Sequence, residues 1–379
     1  MRIAIVCGHF VPTLGYVEVH LANAYQRLGY TVKVITSNTT SSSAKFLELD
    51  KSEENLKYDL VRLKTWFSYG QIVRSKGITK EIHNFNPDKV IVIGLGKIFP
   101  KEVFKVSTRN YELITLLGDN ETNHYKSEKN LKRRIMQTFF KTPVYELAIK
   151  KSDKLVGYTP STKHMVDASI HPKLIELFTQ KYSTTSLGFD ETEFNYDENL
   201  RLKTRKELGI EERELVLITA TRITSAKKIE RIIDRIAVLS NKGIRLKYVI
   251  IGFTESKYCQ ELRNYIIEKD LGSAVIDLPF ATRNEMNGYY NMADLGLWTR
   301  ASISIFEGLA TGLTLLLPDR KNVSHILTAN NGLYYTEENL LNRLEECVSS
   351  YDSTSKATVA KTAKAQFSFN VIAQKLINK

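Results

Sequence analysis

Cysteine is scarce in this 379-residue chain, which has only Cys7, Cys259 and Cys347. Three residues so far apart give neither a disulfide framework nor metal-ligand spacing, and each reads as a small buried hydrophobe. Long apolar runs are also missing. Nothing approaches the ~20 residues that span a bilayer. The run from Ile3 to Cys7 is too short for a signal-peptide core and leads straight into a turn. The chain reads as cytoplasmic. Acidic side chains are outnumbered, 42 against 54 basic ones, and the deficit is local. Residues 1–185 carry 28 basic and 17 acidic groups, whereas residues 186–379 carry 26 and 25. A basic half joined to a neutral half suggests that one domain meets an anionic surface while the other does different work.

What is present is an ordinary globular composition, 42% hydrophobic and 25% charged, at a length that predicts two domains or three. Residues 2–7 form a continuous apolar run. A turn through Gly8, Pro12 and Gly15 follows, and then Val17, Leu21, Ala24, Tyr25 and Leu28 at helical spacing, closed by Gly29. Val32, Val34 and Ile35 make the next strand. Strand, helix and strand in ~35 residues is a βαβ unit and hence a parallel sheet. Val90 to Ile93 is another buried strand. The pattern restarts at Leu215–Ile218, followed by one helical face of Ile229, Ile232, Ile233, Ile236 and Leu239, and by strands at Tyr248–Ile251, Ala274–Ile276, Leu295–Trp298 and Leu313–Leu317. Two doubly wound α/β domains are expected, with a boundary near 180–190. The Ser/Thr-rich stretch Thr36–Ser43 reads as a mobile loop.

Doubly wound sheets often hold a dinucleotide, but the first turn lacks G-x-G-x-x-G. Gly94-Leu95-Gly96 has Phe99 where the third glycine would allow close helix packing. NAD and FAD are disfavoured.

Six segments, in order, carry a family resemblance. They are Pro12-Thr13-Leu14-Gly15-Tyr16-Val17-Glu18; Leu187-Gly188-Phe189-Asp190, continuing to Phe194; Thr221-Arg222 followed by Lys227; Tyr289-Tyr290-Asn291-Met292-Ala293-Asp294; Glu307-Gly308-Leu309-Ala310-Thr311-Gly312; and Phe367-Ser368-Phe369. Together they resemble the glycosyltransferases of family 4. The resemblance implies the GT-B fold, two doubly wound Rossmann-like domains facing across a cleft. It assigns residues 1–182 to the acceptor and 186–366 to a nucleotide sugar, with the last helix, 367–379, crossing back onto the first domain.

A sugar nucleotide presents a pyrophosphate whose charge grows as the glycosidic bond breaks. Arg222 and Lys227, in a strand-to-helix loop, offer a guanidinium fork and an ammonium for it, and the matching family residues do this work. Read without the family, they could be a solvated basic turn beside Lys228 and Arg231. Ser302, Ile303 and Ser304 open the helix that carries Glu307; helix-start amides bind anions. The resemblance gives those amides the phosphates and Glu307 the ribose hydroxyls. Glu307 could equally be a first-turn carboxylate favoured by the helix dipole. Gly15 and Tyr16 would close over the donor phosphates, or simply form a tight strand–helix connection. Two positions depart from the family. Thr299 stands where its first glutamate touches the donor sugar. Gly118-Asp119-Asn120 replaces a histidine turn, so that Asp119 or Asn120 would face that sugar.

The chain has no Asp-x-Asp metal clamp, and the resemblance implies no metal and no resident cofactor: a UDP- or GDP-sugar is the substrate. Positive charge peaks over 126–154, where Lys132, Arg133 and Arg134 accompany Leu131, Ile135 and Phe139 at helical spacing and Pro143 interrupts the pattern. That helix either packs on the sheet with a solvated basic face or docks to anionic lipid, with Trp66 and Phe67 as further anchors or as buried residues. Nucleic-acid motifs are absent. The expectation is a retaining, metal-independent transferase. It would pass a sugar to a glycan or lipid-linked acceptor in polysaccharide or glycolipid biosynthesis, at the inner face of the cell membrane. The alternatives are a sugar-nucleotide epimerase on the same fold and a non-catalytic partner subunit of a transferase.

Overall fold

A computed structural model describes residues 1–39, 55–69, 72–94, 98–118, 135–328 and 331–378. The chain divides into two compact units, 1–187 with 369–379, and 188–368.

In the first unit the parallel sheet has the order β3-β2-β1-β6-β7-β8-β9. Its strands are β1 (Arg2–Cys7), β2 (Thr31–Ser37), β3 (Asp59–Leu63), β6 (Lys89–Ile93), β7 (Glu112–Leu117), β8 (Lys154–Gly157) and β9 (Tyr182–Thr184). An antiparallel hairpin, β4 (Thr65–Tyr69) and β5 (Ile72–Ser75), is inserted after β3. The continuous apolar run of β1 is explained by its central place, between β2 and β6, with both faces covered. Alternation along the strand sends Ile3, Ile5 and Cys7 to one layer and Ala4 and Val6 to the other. The first layer holds helices Val17–Arg27 and Phe369–Asn378, so the last helix belongs to this unit. The second layer holds Ile78–Phe85 and Thr142–Lys151.

The second unit repeats the plan with order β12-β11-β10-β13-β14-β15. These strands are β10 (Leu215–Ala220), β11 (Leu246–Phe253), β12 (Val275–Pro279), β13 (Leu295–Leu297), β14 (Thr314–Pro318) and β15 (Gly332–Tyr335). The isoleucine face of helix Ile229–Asn241 packs on Leu217, Tyr248 and Ile250. All three cysteines are buried, and none is in a disulfide.

Three expectations are corrected. Thr36 and Ser37 are not loop: they finish β2, fully buried, with Ser37 Oγ donating to Gly8 O at 2.6 Å. The Ser37 hydroxyl also meets Thr39 Oγ1 at 2.8 Å, so a polar residue can end this buried strand. Residues 40–43 of that stretch lie outside the described residues. Pro143 does not interrupt its helix. It sits in the first turn of Thr142–Lys151, where a missing N–H costs nothing, after a π-helical turn over Met136–Lys141. Ile135 and Phe139 do not pack on the sheet; they are exposed, Phe139 at 70%.

Candidate functional site

In both sheets the strand order reverses beside the first strand of the unit, and the crevice beyond the carboxyl ends at such a switch point is where open α/β sheets take ligands. In the second unit that point lies between β10 and β13. Gly252, at the end of the neighbouring β11, has φ +114°, and a Cβ there would stand 2.1 Å from Thr221 O. Only glycine lets the β10 turn come so close. The Thr221 amide donates to Ile251 O at 3.2 Å, fixing the start of the turn, and buried Ile223 pins its middle.

Arg222 is exposed, and Lys227 closes a short 3-10 turn, half-buried. Burial pushes the Lys227 ammonium below its ordinary range, and the nearby guanidinium groups of Arg300 and Arg222 push it further. Three cations thus meet at the strand ends. Lys228 and Arg231, by contrast, both pair with Glu337, Lys228 Nζ at 3.2 Å. The turn is therefore two distinct basic groups, one already neutralised and one with no ion pair among the described residues. Lys227, Thr299 and Arg300 line a cavity of about 670 Å³ that continues to Arg320 and Tyr335. Its lining holds six basic side chains against the carboxylates of Asp234, Asp319, Glu337 and Glu338, a cationic excess that suits an anion.

Ser302 and Ser304 are bound into this rim. Trp298 Nε1 donates to Ser304 Oγ at 2.9 Å and to Ala220 O at 3.1 Å, and the Ser304 amide donates to Ser302 Oγ at 3.3 Å. These contacts tie the helix start to the end of β10. The helix runs Ser304–Ala310 with Ile303 as its cap residue. The Ser304 amide, one of those expected at the phosphates, is therefore already engaged. Glu307 is buried, and its Oε1 lies 3.4 Å from a guanidinium nitrogen of Arg283, which also binds Glu193 and sits 5.0 Å over the Phe194 ring. Arg283 and Arg300 were missed from sequence. Arg300 adjoins Thr299, but Arg283 is marked only by the capping box Thr282–Glu285 that encloses it.

Not every motif residue belongs to the rim. Asp294, fully buried, precedes β13 and lies at the opposite edge. It pairs with Arg201 (2.8 Å) and Arg205 (2.6 Å) and accepts from the Val216 amide and Tyr351 Oη. Lys356 Nζ, buried beside it, donates to Ala293 O at 2.6 Å. Gly312, at φ +85°, would put a Cβ 2.4 Å from Lys356 O, so the closing glycine of its motif is required for backbone approach.

The remaining predicted residues lie in the first unit. Tyr16 caps helix Val17–Arg27 through its carbonyl and is 51% exposed. Gly15 has no left-handed φ, so the backbone there does not itself demand glycine. Gly118 closes β7, but Asp119, Asn120, Lys132, Arg133 and Arg134 lie outside the described residues. Trp66 and Phe67 are exposed, so neither is the buried residue that was one of the two expectations.

This architecture is the GT-B fold. The solved structure of HepE from Anabaena in complex with UDP matches with a TM-score of 0.70 at 16% identity, covering 100% of this chain and 99% of that one. A glycosyltransferase from Rickettsia africae gives a TM-score of 0.70 at 15% identity, covering 100% and 97%. WaaG, a glycosyltransferase involved in lipopolysaccharide biosynthesis, gives 0.63 at 15%, covering 100% of both chains. The model of the family described as "Glycosyl transferases group 1" matches residues 201–359, the segment that holds Arg222, Lys227, Thr299 and Glu307. A search of curated proteins gave no match.

Proposed function

We propose that the chain is a glycosyltransferase of the group 1 family. It would move a sugar, with retention, from a nucleoside diphosphate donor to a glycan or lipid-linked acceptor of cell-surface polysaccharide or glycolipid assembly. The observation that carries the reading is the cavity of about 670 Å³ at the β10–β13 switch point, which Lys227 and Arg300 line, with the Arg222 guanidinium close enough to act on Lys227. HepE, of the same fold, has been solved with UDP and with UDP-glucose.

In this reading the three cations meet the pyrophosphate and stabilise the charge it gains as the glycosidic bond breaks. Glu307, steadied by Arg283, accepts the ribose hydroxyls. An acceptor hydroxyl entering on the leaving-group face can lose its proton to a donor phosphate oxygen. The protein's part is then positioning and charge stabilisation, with no metal clamp. The test is incubation with radiolabelled UDP-, GDP- and ADP-sugars, with and without membrane extract. Label should enter the lipid or glycan fraction, and Lys227→Ala should lower kcat by about 10²–10³-fold. Epimerised donor without transfer, or turnover unchanged in Lys227→Ala, would overturn the assignment.

We further propose an anionic membrane surface as the working location. Ile135, Phe139 and Phe140 are exposed within the basic segment and would insert while its cations meet the headgroups.

A further inference from the structure

The β4–β5 hairpin carries an irregularity that the sheets do not explain. Thr65 pairs with Ser75 and Phe67 with Arg74, so Trp66 is an extra residue, a β-bulge. Regular alternation would send Trp66 and Phe67 to opposite faces. The bulge instead turns both toward Arg74, whose guanidinium lies 5.8 Å from the Trp66 ring and 5.9 Å from Phe67. Neither ring is used for packing, Trp66 being 57% exposed and Phe67 44%.

Trp66 forms one wall of a cavity of about 260 Å³, and Arg74, Lys76, Lys101 and Lys105 supply charge around it. The fifth ionisable group, Glu102, is occupied: its carboxylate accepts from Thr79 Oγ1 at 2.7 Å. Among the described residues the four cations make no ion pair. The cavity is lined by the hairpin that follows β3 and by the 3-10 helix Phe99–Lys105 that follows β6. An indole face beside unpaired ammonium groups fits a ring with C–H bonds on its faces and a negative charge on its rim. A flat bilayer would instead meet protruding apolar groups, whereas this site is concave and cationic.

We propose that this hairpin cavity is a binding subsite for an anionic saccharide, one bearing a phosphate or a carboxylate. It thereby selects acidic acceptors; that last step rests on the transferase reading above, while the binding itself does not.

The chain has two tryptophans, and Trp298 is 1% exposed. Trp298 adjoins the donor rim, so an emission change reports on Trp66 when it is lost in Trp66→Phe, which keeps Trp298. Glucose 6-phosphate and glucuronate should each change the emission of the full-length protein saturably, with glucose and inorganic phosphate at least about tenfold weaker. The double substitution Lys101→Ala/Lys105→Ala should raise the dissociation constant about tenfold while leaving the unliganded emission unchanged. Trp66→Phe, followed by calorimetry, should weaken binding about fivefold. Absence of a saturable response overturns the proposal. So does equal affinity for inorganic phosphate, which would make this an adventitious anion patch, or a response to phosphatidylglycerol vesicles alone, which would make the hairpin a membrane contact. The two readings fail separately. Saccharide binding without any sugar transfer sinks the transferase and leaves the subsite. Transfer to acidic acceptors undiminished in the double variant sinks the subsite's role and leaves the transferase.

Discussion

On the proposed reading Lys227 meets the donor phosphates, and its setting then makes a pH prediction. Its charged form binds phosphate, and burial with two neighbouring guanidinium groups lowers the pH at which that form is lost. Donor affinity should therefore fall with rising pH earlier than an ordinary lysine would allow. Lys227→Arg, whose charge does not titrate in this range, should remove the fall. Nucleotide titrations at stepped pH would measure it, and identical profiles for the two proteins would refute the role. The local charge at this position was legible in the sequence, because Thr221-Arg222 and Lys227 sit at fixed offsets from a strand end. Arg283 was not, since it reaches Glu307 only through tertiary packing of two helices and no spacing encodes that contact.

At the scale of elements, close backbone approaches hold the site and explain why glycines recur beside it. Gly252→Ala would force Thr221 and the β10 turn away from β11 and should cost about 2–4 kcal/mol, with loss of donor binding. Chemical denaturation and nucleotide titration together check both effects. Helix Lys356–Phe367 contributes a different constraint. Burial pushes the Lys356 ammonium down to about 7, against ~10.4 for an unfolded lysine. Between those values the unfolded chain holds a proton that the folded chain lacks, so this group makes stability rise with pH, by about 1.4 kcal/mol per unit at most. Denaturation midpoints between about pH 7 and pH 9 should climb in the parent protein relative to Lys356→Met. A constant difference would show that the lysine stays charged.

The strands themselves were readable wherever both faces are buried, as in β1, β10 and β11, because a continuous apolar run has few other uses. The β3 edge strand and the β4–β5 hairpin were not read. Their residues mix polar and aromatic groups, and the bulge at Trp66 breaks the two-residue period on which strand recognition depends.

For the whole molecule, the observed division sharpens the charge asymmetry. The first unit, with the last helix, carries 30 basic and 17 acidic residues, and the second 24 and 25. The excess is thus confined to one unit, while the other concentrates its cations locally at a strand end. Neutralising Lys132, Arg133 and Arg134 should weaken sedimentation with anionic vesicles and leave nucleotide affinity unchanged. Vesicle binding that survives the change would reduce the charge to a solvated face. Among the described residues no helix is long and apolar enough to cross a membrane.

The Asp294 cluster anchors β13 at its beginning, and Thr299 and Arg300 follow its end. On the proposed reading, robustness and donor selectivity then sit at opposite ends of one short strand. The outer edge is consequently free to be rewritten: replacing Thr299 by Glu should shift the melting midpoint by no more than about 2 °C while changing which sugar nucleotide is turned over. A chain built in this way can acquire a new donor by drift at one rim without first becoming more stable. A melting survey of Thr299 variants would expose any hidden coupling between the two ends.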